Sequence, residues 1–211
     1  MDILRLIHEQ VDLSIAQHQA FWAACLVAFF AFLRKSTLLP KCASSVHNAL
    51  CISDVDLAQD RSQITLHIQH TKTIQFGQRH LNIPLATIPD SDLCPVSAVV
   101  RLLATLPVSS ITKCQPLFSY LNGEGIVPLT HSLFISMLKG ALSKADIYPS
   151  DYSGHSFRRG GCTHAFGLGA SPYLIKLRGD WKSNCYERYI TVKEEHNLLL
   201  AKSLAASVLK R

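Results

Sequence analysis

The sequence predicts an α+β fold that is mostly α, with one small three-stranded antiparallel sheet set between two helical blocks. Three observations carry this. Apolar residues recur at helical spacing through the first third of the chain. Strict alternation then takes over between Cys51 and Leu85. After Pro95 the helical period returns and runs on with recognisable caps. Helices, then strands, then helices is an α+β order and not an alternating βα one.

In the first block, Leu4, Ile7, Val11, Leu13 and Ile15 lead into AFWAACLVAFFAFL (Ala20 to Leu33), and the spacing predicts helix up to Leu33. The apolar run is fourteen residues long, too short to span a bilayer. It lacks the position and cleavage pattern of a signal peptide. A helix buried on most sides accounts for it. Pro40 and the polar KCASSVHN stretch end the pattern. Cys51–Leu57, Gln63–Gln69 and His80–Leu85 are the three predicted strands, with Lys72 near a turn that ends at Gly77.

The second helical block starts with Pro95–Leu106, where Pro95 suits a first turn. Thr130 caps a helix to Ala145. Another helix follows His155 and stops near Gly167–Gly169. Ser171–Pro172 opens a short helix to about Leu177, and Ser183 caps a segment carrying Tyr186 and Tyr189. Lys193 to Lys210 is amphipathic and predicted helical. No repeat or low-complexity tract is present.

Composition narrows the class. Of 211 residues, 48% are hydrophobic and 17% charged, as in a globular chain. The net charge of +6 suits a polyanionic partner. Seven cysteines, odd in number and never as C-x-x-C, exclude a zinc ribbon and a disulfide framework. Reduced, mostly buried thiols are expected. His67 and His70 are three apart on a strand, so they face opposite sides and make no metal pair. There is no phosphate loop and no G-x-S-x-G elbow.

The informative segment is Ser153–Val192, SGHSFRRGGCTHAFGLGASPYLIKLRGDWKSNCYERYITV. It holds H-x-x-R (His155, Arg158), Gly169, GDW (Gly179–Trp181), and Tyr189 eight residues after the tryptophan. Upstream, FLRKS places Arg34 after the apolar helix and HTKT places Lys72 by the sheet turn. Each residue alone has a plain reading. Arg34 is a cation at a helix C-terminus, Lys72 a solvated turn residue, Trp181 core, Tyr189 a half-buried aromatic, and His155/Arg158 a surface pair sharing a face. Gly160 and Gly161 sit early in a helix, where each costs about 1 kcal/mol, so a close approach by DNA or a neighbouring strand is expected there.

Together the set suits attack on a phosphodiester. Two arginines can bind the non-bridging oxygens of a five-coordinate phosphorane. A tyrosine, with a pKa of about 10, must shed its proton as it attacks, and a histidine can take it. A lysine can protonate the leaving 5′-oxygen. No step needs a metal or cofactor.

These motifs resemble the tyrosine recombinase (phage integrase) family, whose pattern is Arg, Lys, His-x-x-Arg, His or Trp, then Tyr. The match runs in order from Arg34 to Tyr189. TKT…R.LNIPL (Thr71–Leu85) resembles the family's lysine-bearing hairpin. GLGASPYLIKLRGDW resembles the segment leading to its LGH, with Trp181 in the histidine's place. RRGG and GDWKS…Y..YI resemble forms in DIRS-like and Crypton mobile elements. The resemblance implies one catalytic domain over residues 1–211, with the family's N-terminal DNA clamp largely absent. It implies that Arg34 and Arg158 hold the scissile phosphate and that Lys72 is the general acid. His155 is general acid/base, Trp181 donates its indole N–H or packs the site, and Tyr189 is the nucleophile.

Two departures stand out. Thr37 occupies a place where many members carry an acid that orients the first arginine. Tyr186 is a rival nucleophile one turn before Tyr189. The resemblance implies double-stranded DNA as partner, a homotetramer on DNA, no membrane and no small-molecule substrate. It also implies a nuclear location, or a cytoplasmic one in a prokaryotic host. Site-specific cleavage and rejoining is the leading function. A type IB topoisomerase and an inactive, transposon-derived DNA-binding protein are the alternatives.

Overall fold

The computed structural model describes residues 1–46, 49–69, 80–112, 114–123 and 125–190, with Leu198, Ala201, Lys202 and Ala205 beyond them. Lys72, His70 and the expected Lys193–Lys210 helix therefore lie outside the described residues, those four positions excepted. The described elements are α1 (Asp2–His8), α2 (Ala16–Phe30), α3 (Lys35–Leu38), β1 (Val55–Leu57), β2 (Gln63–Ile68), β3 (Leu81–Ala86), α4 (Pro95–Ala104), β4 (Ser119–Asn122), β5 (Gly125–Pro128), α5 (His131–Lys144), α6 (Ser156–Gly167) and α7 (Pro172–Arg178). A 3-10 helix, Asn184–Tyr189, follows α7. The α+β class is as expected, with one sheet more than the sequence reading gives.

Helix α2 is the axis of the molecule. Every residue from Ala20 to Phe29 is buried, and α4, α6 and β4 pack around it. A helix apolar on all sides has no solvent face to keep. It does not join α1. The expected continuous helix is broken at 9–15, where the Asp12 carboxylate accepts from the Ser14 amide at 2.9 Å and the Ser14 hydroxyl at 2.7 Å. Such local acceptors compete with helical hydrogen bonds. Among the described residues, no helix is long and apolar enough to cross a membrane.

The three-stranded sheet runs β1-β2-β3, antiparallel throughout. Its register sets Ile64 opposite Leu85, Leu66 opposite Ile83 and Ile68 opposite Leu81. All six are buried, so one face joins the core. Pro84 sits in β3, an edge strand, where a missing N–H is tolerated. The first half of the expected Cys51–Leu57 strand is a 3-10 turn, Ile52–Asp54, because the Asp54 carboxylate caps the Cys51 amide at 2.9 Å. The opposite face carries His67, bonded through one ring nitrogen to Asp56 at 2.7 Å and through the other to Asn82 at 2.9 Å.

The helix starts follow the expected caps. The hydroxyls of Thr130 and Ser171 accept from the amides of Leu133 and Leu174, and that of Ser183 from Cys185. The second sheet, β4–β5, was not expected. Its strands have four residues each, too short for alternation to register, although Asn122–Gly123 is a hairpin signal. The seven cysteines are free, as expected, but only Cys25, Cys94 and Cys162 are buried.

Phe32, Cys162, Ile175, Trp181 and Tyr186 form a second, smaller core, separate from the one around α2. It lies at the C-terminal end of α2 and is closed by α6, α7 and the 3-10 helix.

Candidate functional site

Helix ends build this region. Helix α2 terminates in a Schellman motif: the Leu33 amide reaches the Ala28 carbonyl at 3.2 Å and the Phe32 amide reaches Phe29 at 3.4 Å. Phe32 holds the left-handed residue's place with φ 53°. The chain then extends through Arg34 (φ −80°, ψ 149°) into α3. Arg34 is thus not the last residue of the apolar helix but the N-cap of the next one, half-buried.

Helix α6 begins at the same place. His155 is its N-cap and is open to solvent, while Arg158, one turn on, is only 1% exposed. Arg158 donates through Nη1 to the Phe32 carbonyl and through Nη2 to the Gly179 carbonyl at 2.6 Å. Its neighbour Gly161 explains itself. A methyl group there would stand 2.1 Å from the Phe29 carbonyl oxygen and 2.8 Å from the Phe32 ring. The close approach expected at the glycine pair is therefore that of α2, not of a strand.

Helix α7 ends in a second Schellman motif, with Asp180 left-handed at φ 54° and the Trp181 amide bonded to the Lys176 carbonyl at 3.1 Å. This turn sets the indole over Arg158, whose guanidinium carbon lies 3.8 Å from the ring centroid. It also explains the glycine of GDW. A methyl group on Gly179 would meet Trp181 Cζ3 at 1.7 Å.

The 3-10 helix Asn184–Tyr189 follows. With three residues per turn, Tyr186 and Tyr189 fall on one side. Their ring centroids are 6.0 and 5.6 Å from that of Trp181. Tyr186 is buried in the second core, whereas Tyr189 is half-buried and 5.8 Å from the Arg158 guanidinium carbon. Thr163 Oγ1 donates to the Tyr189 carbonyl at 2.9 Å and ties the segment to α6.

The electrostatics are those of a cation cluster. Burial first, and the neighbouring Arg34 second, bring Arg158 down to about 10, so it stays charged at neutral pH. Partial desolvation, then Arg34, Arg158 and Lys35, hold the His155 imidazole below its ordinary range. Asp180, buried at 5% exposure, partly offsets the charge on Arg158. Two buried donors, Arg158 Nε and Trp181 Nε1, have no hydrogen-bond partner among the described residues.

Five of the six expected residues, Arg34, His155, Arg158, Trp181 and Tyr189, therefore gather at the end of α2. Thr37 is buried; its amide bonds the Arg34 carbonyl at 2.9 Å and its own carbonyl accepts from Leu50 at 3.0 Å. Sequence reasoning missed two residues. Arg178 donates to the Phe30 carbonyl at 2.8 Å and the Pro84 carbonyl at 3.0 Å, bracing α7 against α2 and the sheet. Its position just before GDW was the available signal. The Lys35 stem lies beside Gly154, the residue before His155, and its adjacency to Arg34 was the only hint.

This architecture is the tyrosine recombinase catalytic-domain fold. No protein-family model and no curated protein sequence matches the chain. Among solved structures, it is similar to the XerH site-specific recombinase bound to palindromic difH substrate in a post-cleavage complex, with a TM-score of 0.63 and 16% identity over 99% of this chain and 50% of that one. XerA recombinase gives a TM-score of 0.63 at 18% identity, over 96% of this chain and 63% of that one. The Flpe–Holliday junction complex gives 0.53 at 16% identity, over 94% of this chain and 47% of that one. The chain thus spans about half of the XerH and Flpe chains and 63% of XerA.

Proposed function

We propose that this protein cuts and rejoins DNA at specific sites through a 3′-phosphotyrosyl intermediate on Tyr189. The observation that carries the reading is the gathering of Arg34, His155, Arg158, Trp181 and Tyr189 at one point of a recombinase fold. The Tyr189 oxygen bonds to phosphorus as the bond from phosphorus to the 5′-oxygen breaks. The phenolic proton passes to His155, whose neutral form partial burial first, and the surrounding cations second, favour. Lys72 supplies the proton for the departing 5′-oxygen. Arg34 and Arg158 meet the charge that builds on the non-bridging oxygens. The N–H groups of Arg158 and Trp181 that have no partner among the described residues suit an anionic acceptor. Rejoining is the reverse attack by a 5′-hydroxyl. Tyr189 is the nucleophile and not Tyr186, because Tyr186 is locked in the second core. The protein acts on double-stranded DNA as a tetramer, in the nucleus of a eukaryotic host.

One observation favours a second reading. Arg158 is 1% exposed and covered by Trp181, as a purely structural arginine would be. In that reading the chain binds DNA and does not cut it. Nicked suicide substrates separate the two, incubated with chelator and assayed for an SDS-stable adduct. An adduct with wild type and Tyr186→Phe but not Tyr189→Phe is the expected result. No adduct despite measurable DNA binding would replace the first reading by the second.

A further inference from the structure

Tyr189 is the last residue of the 3-10 helix Asn184–Tyr189, and Ile190 after it is extended, with φ −88° and ψ 120°. A carbonyl at a helix end has no amide of its own helix to accept from, so another group must supply the hydrogen. Thr163 supplies it here. Its Oγ1 donates to the Tyr189 carbonyl at 2.9 Å, across 26 positions of the chain. The Ile190 amide donates to the Glu187 carbonyl at 3.1 Å. The backbone at Tyr189 is thus held twice, once within its own turn and once to α6.

Thr163 lies inside α6, the helix that has His155 at its N-cap and Arg158 in its first turn. Threonine is a poor residue for a helix interior, because its branched side chain loses rotamer freedom there. The same stiffness at χ1 makes it a good tether. The helix that bears it is itself fixed. Gly161 lies so close to α2 that a methyl group there would stand 2.1 Å from the Phe29 carbonyl oxygen, and Cys162 is buried in the second core. The ring of Tyr189 is placed separately, 5.6 Å from the Trp181 ring and 5.8 Å from the Arg158 guanidinium carbon.

We infer that Thr163 is a positioning residue for Tyr189: its hydroxyl fastens the tyrosine backbone to the helix that carries His155 and Arg158, so that all three keep one spacing. The inference rests on the proposed role of Tyr189 as nucleophile. An error of about 1 Å in the approach of reacting groups costs about a hundredfold in rate. Thr163 is half-buried and uncharged, so it acts on the tyrosine and not on DNA affinity.

Three variants test this. Thr163→Val keeps the shape and removes the hydroxyl, Thr163→Ala removes it in a better helix former, and Thr163→Ser keeps it. Without DNA, chymotrypsin cleavage of the Tyr189–Ile190 bond, followed by the mass of the 1–189 fragment, reports how freely that backbone opens. Loss of one ordinary hydrogen bond should speed this cleavage roughly fivefold in the Val and Ala variants, and Thr163→Ser should be cut at the wild-type rate. On saturating nicked substrate, adduct formation should slow by at least as much in the Val and Ala variants, with the dissociation constant for DNA unchanged, and Thr163→Ser should restore it. Unchanged proteolysis in the folded Val and Ala variants overturns the inference. So does a rate loss that saturating DNA abolishes, or one that Thr163→Ser shares in full. Wild type that forms no adduct while proteolysis still responds refutes the proposed reaction and leaves the tether standing.

Discussion

Gly179→Ala should be among the most damaging single-methyl changes in this protein, and its effect should change sign when Trp181 is removed. Gly179 has φ −86° and ψ 1°, on the negative side that alanine adopts. A backbone argument alone therefore predicts a gain of about 0.4–1 kcal/mol, since alanine restricts the unfolded chain. The structure predicts the opposite. The new methyl would overlap Trp181 at 1.7, 2.2 and 2.4 Å from three ring carbons, so the ring must leave. Expelling a buried tryptophan costs about 3–5 kcal/mol, as truncating it does. The stack on Arg158 goes with it. For a chain of this size that lowers the melting temperature by roughly 10 °C. The assay is a double-mutant cycle in urea, read by far-UV circular dichroism so that loss of the indole does not alter the signal. In the Trp181→Ala background, Gly179→Ala should be neutral or stabilise by about 0.5 kcal/mol, giving a coupling of about 3 kcal/mol or more. Equal costs in both backgrounds would refute the claim that the glycine of GDW exists for the tryptophan.

Gly161→Ala should destabilise by about 3 kcal/mol, because the methyl meets the Phe29 carbonyl, which belongs to the backbone of α2 and cannot rotate away. Urea unfolding of the purified variant measures it, and a loss below about 1 kcal/mol would mean that α2 and α6 can part freely. His67 titrates above its ordinary value, through its bonds to Asn82 first and Asp56 second. The folded state thus binds the proton more tightly than the unfolded chain. The stabilisation is fully present below the unfolded value of about 6.5 and is lost as pH rises through the raised one. The melting temperature should therefore fall from pH 6 toward pH 8 in wild type, and His67→Gln should flatten that slope.

What the sequence made legible was local. The caps Thr130, Ser171 and Ser183 were readable because a cap is decided by a side chain and an amide two or three residues on. Helix α2 was readable because its apolar residues cover every side. The roles of the buried side chains were not readable. Nothing in FRRGG says that Arg158 turns inward to two carbonyls, one of them 126 positions away at Phe32. Nothing in SGH says that a lysine stem crosses the glycine. Both depend on helix ends meeting in space. The break between α1 and α2 was missed for another reason. Asp12 and Ser14 sit inside an apolar spacing that fits a helix, and side-chain bonds to the backbone override the period there.

The two helix C-termini beside the gathered residues carry a left-handed side chain, as the end of α5 also does with Asp146 at φ 55°, whereas that of α6 does not. Helix α6, which stops away from the cluster, ends with glycine in the left-handed place, Gly169 at φ 80°. Helices α2 and α7 end with Phe32 at 53° and Asp180 at 54° in that place. A side chain there costs roughly 1–2 kcal/mol, and glycine would avoid it. What glycine would forgo is the Phe32 ring, buried in the second core, and the Asp180 carboxylate, which offsets charge on Arg158. Each strained residue also precedes a functional candidate, Trp181 directly after Asp180 and Arg34 two residues after Phe32. Strain of this kind persists only where surrounding contacts over-determine it. Here those contacts are the second core and the buried guanidinium. The same residues that close the small core thus also hold the backbone that carries the side chains proposed to handle the phosphate.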